Sequence, residues 1–131
     1  MTDEQVVAIV EKLYDALGRE DIETVLGIFD PEVVIHTPPS LPWSTGDYQG
    51  LEGAVKYFQG ALEACADTVF DVEEIHPSGD WAAAIGDWSG TSRASGRGFR
   101  VKFVHFWTLR DGKIIKAEGI SDTVEIVAAF D

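Results

Sequence analysis

From Thr68 onward the apolar residues of this chain recur at every second position, in four consecutive runs: TVFDVEEIH, WAAAIGDWSGTS, FRVKFVHFWTL and KIIKAEGISD. A period of two sends alternate side chains to opposite faces of an extended strand. The runs are divided by Pro77-Ser78-Gly79-Asp80, Gly96-Arg97-Gly98 and Asp111-Gly112, connections too short for anything but antiparallel neighbours. The second half therefore reads as a meander of long antiparallel strands. Asp111-Gly112 is the sharpest of the turns, because a type I′ hairpin needs φ > 0 at both central residues. With Arg110 facing Lys113 across it, counting outward pairs Trp107 with Lys116, His105 with Glu118, Phe103 with Ile120 and Val101 with Asp122. A slip of one residue or a bulge would reverse the face of every side chain in that count.

The first half carries the other period. TDEQVVAIVEKLYDALG sets Thr2 and Gln5 at capping-box spacing, keeps Val6, Val10, Leu13 and Leu17 on one stripe, and stops at Gly18. DIETVLGIF, from Asp21, reads as a shorter helix ended by Asp30-Pro31. VVIHT follows as a short strand. Pro38, Pro39, Pro42, Ser44, Gly46 and Gly50 then predict an irregular loop from Thr37 to Gly50 that carries Trp43 and Tyr48. Leu51, Val55, Phe58 and Leu62 mark a third amphipathic helix, and TVEIVAAF closes the chain as a short helix or an edge segment. The order defines an α+β fold, with helices laid across one face of a curved antiparallel sheet.

At 131 residues and 45% hydrophobic content, the chain holds one core and reads as one domain, 1–131. A formal charge of −13 repels phosphate backbones and anionic lipid, so the expected partners are a small molecule or a protein chain, with no nucleic acid and no membrane. Cys65 is the single cysteine, no apolar run is long enough to span a bilayer, and MTDEQVV lacks the basic-then-apolar layout of a signal peptide. These features read as cytoplasmic. His36, His76 and His105 lie far apart without metal-ligand spacing, no Ser or Cys sits in a nucleophile context, and no glycine-rich loop opens a helix. No metal and no cofactor are expected.

The strand through His105 is apolar on both sides: Val101, Phe103, His105, Trp107 and Leu109 on one, Val104 and Phe106 on the other. An antiparallel sheet needs only one buried face, so the second implies a cover, and a homodimer through the convex face is the economical one.

Three stretches, AIVEKLYDALGREDIETVLGIFDPEVVIHTPPS, DYQGLEGAVKYF and VHFWTLRDGKIIKAEGISDT, together resemble the nuclear transport factor 2-like superfamily, in its SnoaL-like and ketosteroid-isomerase-related branch. The resemblance covers nearly the whole chain. It implies a cone-shaped barrel of curved sheet wrapped on N-terminal helices, a pocket between the concave sheet and the helices, and a dimer through the convex face. It does not by itself imply an activity. Aligned to the isomerases, the base carboxylate falls on Thr37, and the two oxyanion donors fall on Leu13 and Val104. Aligned to the polyketide cyclases, a strand histidine falls on His105, but the acid/base aspartate of the last strand falls on Gly119.

The surviving proton carriers are His105, Asp87 and Asp122. The cyclase match turns His105 into the pocket; the isomerase alignment turns it outward against Glu118. That same alignment turns Asp87 inward among small residues, where burial would raise its pKa; the alternative is a solvent aspartate at a strand edge. Asp122 either reaches the pocket mouth or caps the last helix. His36 ends the first strand near the expected mouth. Trp43 and Tyr48 in the loop, with Tyr14, Tyr57 and Phe58 on helices, supply the aromatic wall of an apolar pocket, or else ordinary core packing. Arg93, Arg97, Arg100 and Lys102 form a basic cluster that would meet an anionic substrate or simply be solvated. Two functions follow: cofactor-free acid/base chemistry on a small apolar carbonyl-containing metabolite, by isomerisation, dehydration or cyclisation, or a non-catalytic binding or dimerisation domain.

Overall fold

The computed structural model describes residues 1–131. The chain runs through α1 (Asp3–Gly18), α2 (Ile22–Ile28), β1 (Phe29–His36), β2 (Asp47–Gln49), α3 (Gly50–Ala64), β3 (Cys65–Ser78), β4 (Trp81–Ser92), β5 (Gly98–Arg110), β6 (Lys113–Ser121) and α4 (Thr123–Phe130). The capping box closes as the spacing predicts: the Gln5 amide N–H donates to the Thr2 hydroxyl at 3.2 Å, and the Thr2 N–H donates to the Gln5 side chain at 2.9 Å. Val6, Val10 and Leu13 are fully buried along the stripe below it.

The six strands form one curved, unclosed sheet in the order β2-β1-β6-β5-β4-β3. The long strands make the antiparallel meander, but β1 lies parallel to β6, so the sheet is mixed and not wholly antiparallel. Its edges, β2 and β3, stay apart, so the cone is open. β1 begins at Phe29, within the run read from sequence as helix, and it contains Pro31. That proline sits where the pairing with β6 breaks between Phe29 and Val34, a position needing no donor for the ladder. The loop after β1 is less irregular than its prolines suggest, since Asp47–Gln49 pairs with Val34–His36.

Asp111 (φ 51°) and Gly112 (φ 78°) form the expected turn, and Arg110 faces Lys113. The counted register then fails by one. Leu109 pairs with Ile114 but Thr108 pairs with Lys116, so a bulge at Ile115 sets Trp107 opposite Ala117, His105 opposite Gly119 and Phe103 opposite Ser121. Bulges re-aim side chains and sharpen curvature. A second irregularity, between Val72 and Glu74, bends β3 over β4. There a Cβ on Gly86 would lie 2.1 Å from the Asp71 carbonyl oxygen, so only glycine fits.

Val101, Phe103, Trp107 and Leu109 of β5 join Ala82, Ala84 and Trp88 of β4 in the core under the helices. The inward parity taken from the isomerase alignment, through Lys102 and Val104, is therefore reversed. On the outer face Trp81 stacks on Phe106 (5.6 Å between centroids, 26° between planes), and Ile120, on β6, is 59% exposed. Asp87 is also on this outer face, opposite Lys102, because its neighbours Gly86 and Trp88 take the inward positions. α4 closes one end with Ile126 fully buried. No helix is long and apolar enough to cross a membrane.

Candidate functional site

A cavity of about 120 Å³ opens between the concave sheet, α3, the α1–α2 junction and the loop that follows β1. The loop is held by its own hydrogen bonds: Thr37 N–H donates to the Gly46 carbonyl at 2.7 Å, and the Gly46 N–H donates to the Ser44 hydroxyl at 3.0 Å. Leu41 anchors it in the core at 3% exposure. Trp43 rises from it to pack edge-to-face on Trp88 (5.8 Å, 87°) and against Phe130 of α4 (5.5 Å). With Phe29, Tyr57, Phe58, Phe70 and Trp107, the Trp43 and Trp88 rings give the cavity an aromatic wall. Cys65 also lines it, its thiol pushed up to about 11 by burial and thus un-ionised at neutral pH.

His105 projects into this space. Its Nδ1 lies 2.7 Å from the Tyr14 hydroxyl, which in turn accepts a 3.1 Å hydrogen bond from Trp107 Nε1–H. Phe103, at 4.4 Å between ring centroids, and Phe70, at 5.5 Å, pack around the imidazole. Burial among these rings pushes the His105 pKa down to about 3, so the ring is neutral at physiological pH. Burial likewise raises the Tyr14 hydroxyl above the ordinary tyrosine range. Nε2 has no protein partner and looks across at Gly119, where an added Cβ would come within 3.7 Å of it. The cyclase-type alignment thus gave the correct face for His105, while the isomerase-type alignment was shifted by one on this strand.

The other two catalytic candidates lie outside the cavity. Asp87 is ion-paired on the outer face to Arg100 at 2.9 Å and Lys102 at 3.2 Å, and these hydrogen bonds, led by that of Lys102, hold its carboxyl below the ordinary range. Its expected raised pKa is therefore corrected in sign. Asp122 occupies the N-cap position of α4, exposed, and its side chain makes no capping hydrogen bond. Arg100 and Lys102 serve the outer face, Arg93 donates to the Leu62 carbonyl and Arg97 to the Asp131 carbonyl, so the basic cluster is dispersed away from the cavity.

Of the residues chosen for ligand contact, Trp43, Tyr57 and Phe58 line the cavity. Tyr48 stands behind Tyr57 (5.3 Å, edge-to-face), its hydroxyl accepting from the Thr45 N–H. Tyr14 lies behind His105, hydrogen-bonded to its Nδ1, and does not line the cavity. His36 is at the rim, paired through Nδ1 to Asp47 at 2.6 Å. Glu118 bonds Lys116 at 2.6 Å on the outer parity, and Glu20 is exposed at the edge, so no carboxylate points into the apolar interior. No group of three or more His, Cys, Asp or Glu side chains is placed to hold a metal. Sequence reasoning missed Trp107, Trp88 and Phe70 as cavity residues, and it missed the Trp107–Tyr14–His105 chain. The available signal was a tyrosine one position after Leu13, where the isomerases keep theirs.

The SnoaL-like domain family model matches residues 10–117, and the chain belongs to that family, within the nuclear transport factor 2-like superfamily. Among curated protein sequences none matches. A nuclear transport factor 2-like protein of Burkholderia thailandensis superposes with a TM-score of 0.89 at 26% identity, covering 100% of this chain and 99% of its own. IdmH of Streptomyces antibioticus, a proposed polyketide cyclase, gives 0.80 at 26% identity over 95% and 97% of the two chains. A proposed isomerase of Bacillus subtilis gives 0.85 at 17% identity over 99% and 96%, a likeness of fold alone.

Proposed function

We propose that this chain is a cofactor-free enzyme acting on a small apolar carbonyl-containing metabolite, in an isomerase, dehydratase or polyketide-cyclase type of reaction. The carrying observation is His105: one neutral imidazole with an unpartnered Nε2 in an otherwise aromatic and aliphatic cavity. A ring that stays neutral to about pH 3 is a poor proton carrier but a sound electrophile, able to hold a hydrogen bond to a carbonyl oxygen as negative charge develops there. With Thr37 and Gly119 in place of carboxylates, such a site suits a substrate whose α-proton is acidic enough to pass to water, as between two carbonyls. The likeness to IdmH, a proposed polyketide cyclase, supports the cyclase type among these reactions. The working unit of this reading is a homodimer that covers Trp81, Phe106 and Ile120 on the convex face.

The test begins with mass spectrometry of small molecules that co-purify with the protein. The ligand, or its precursor, is then offered to the wild type and to His105→Ala. Loss of one transition-state donor lowers turnover about 10²- to 10³-fold. A non-catalytic binding or dimerisation domain is the second reading, favoured by the same lack of an inward carboxylate. It is the correct one if the ligand binds tightly and neither protein converts it.

A further inference from the structure

The Tyr14 hydroxyl has one proton and is already an acceptor for Trp107 Nε1–H. The one other group in its hydrogen-bonding reach is His105 Nδ1, at 2.7 Å. If Nδ1 carried the imidazole proton, the phenol proton would be left buried without an acceptor, a loss the alternative tautomer avoids. The chain therefore runs in one direction: Trp107 N–H to the Tyr14 oxygen, Tyr14 O–H to His105 Nδ1, and the remaining imidazole proton on Nε2. The polar hydrogens of Tyr14 and Trp107 are fully accounted for by this; Tyr14 stands behind the cavity, while the Trp107 ring lines it with its N–H spent on Tyr14.

That space is defined by a missing side chain. Gly119 is paired directly with His105 across the β5–β6 ladder, and both line the cavity. A Cβ at 119 would meet His105 Cδ2 at 3.4 Å and Nε2 at 3.7 Å, ordinary contacts that displace nothing. The space over the Gly119 Cα thus has room for at least one small group and lies beside the Nε2 proton.

We infer that the space over Gly119 is an oxygen subsite: a carbonyl or enolate oxygen of the ligand sits there and accepts a hydrogen bond from His105 Nε2–H. Tyr14 and Trp107 are positioning residues that fix the donor tautomer. This deepens the functional reading above and rests on it for the class of ligand, but the tautomer and the open space beside Nε2 stand on geometry alone.

The experiment uses ¹⁵N-histidine-labelled full-length protein, with 1-indanone and its deoxygenated counterpart indane as probes. At neutral pH, the wild type should show His105 with a pyrrole-type Nε2 and a pyridine-type Nδ1, and Tyr14→Phe should lose that preference. A pyridine-type Nε2 in the wild type overturns the proposal without any ligand. Bound 1-indanone should show a lowered carbonyl stretching frequency and should bind about tenfold more tightly than indane, the scale of one net hydrogen bond. Gly119→Ala should keep the tautomer and the urea midpoint while weakening 1-indanone at least about tenfold. Equal binding of both probes with an unshifted carbonyl band, or full 1-indanone affinity in Gly119→Ala, sinks the oxygen subsite and leaves the apolar cavity standing. Failure of 1-indanone to bind removes the carbonyl-ligand reading along with it.

Discussion

Replacing His105 by glutamine should flatten the acid side of the protein's stability profile. The ordinary histidine pKa of 6.5 applies in the unfolded chain, while the folded value is pushed down to about 3 by burial among Phe70, Phe103 and Trp107. Between these values the unfolded state binds a proton that the folded state refuses, so stability rises with pH from about 3 to 6.5 and is lost on acidification through that window. At pH 5 the unfolded histidine is about 1.5 pH units below its pKa, and at about 1.36 kcal/mol per unit the cost to the fold is about 2 kcal/mol relative to pH 8. Tyr14 is the one titratable side chain in direct contact with the ring, and it stays protonated throughout.

Urea unfolding at pH 8 and pH 5, at one fixed protein concentration, provides the assay. With a slope of about 2 kcal/mol per molar urea, the wild-type midpoint should fall about 1 M further than that of His105→Gln over the same interval. Carboxyls held below their ordinary range, such as Asp21, Asp30 and Asp87, contribute stability that is lost mainly below this interval, and they cancel in the comparison. Parallel pH profiles for the two proteins would show that folded His105 titrates normally, and the neutral-donor reasoning would fall with that result.

Sedimentation of the wild type at micromolar concentration should give a dimer, and Ile120→Lys should return the 14.3 kDa monomer; a monomeric wild type removes the case for a covered convex face. Gly86→Ala forces a Cβ into the Asp71 carbonyl and should cost about 3 kcal/mol or more in urea unfolding, or abolish folding; an unchanged midpoint contradicts the bulge geometry. Asp87→Asn should leave ligand affinity and turnover unaltered, since its partners Arg100 and Lys102 are on the outer face, and a catalytic defect would mean that the strand parity is wrong. Trp43→Phe should diminish but not erase the tryptophan fluorescence response to ligand, because Trp88 and Trp107 share the cavity; complete loss of the response would place the ligand against the loop alone.

What was legible in the sequence was local chemistry. Thr2 with Gln5, Asp111 with Gly112, and the period change at Thr68 each dictate a conformation within a few residues, and each appears as read. What was not legible depended on the sheet as a whole. β5 is apolar on both faces, so its alternation names no inner side, and one extra residue at Ile115 was enough to move His105 from Glu118 to Gly119. The same ambiguity misplaced Asp87, whose inward neighbours, Gly86 and Trp88, differ too much in size to mark a face. The parallel β1–β6 pair joins segments about 80 residues apart and leaves no short-range signature. The Tyr14–His105 contact spans a similar separation, so no spacing rule could have raised it.

The glycine opposite His105 also bears on how such a protein changes over generations. Every glycine codon becomes an aspartate or glutamate codon by a single second-base transition. At position 119 that transition would set a carboxylate against the imidazole Nε2, in a space that already accommodates a Cβ without displacing its neighbours. The imidazole would then be drawn toward its protonated form, and the oxygen subsite proposed above would be filled. In this scaffold a carboxylate beside the imidazole is therefore one mutational step away, and the backbone at position 119 already has room for its Cβ.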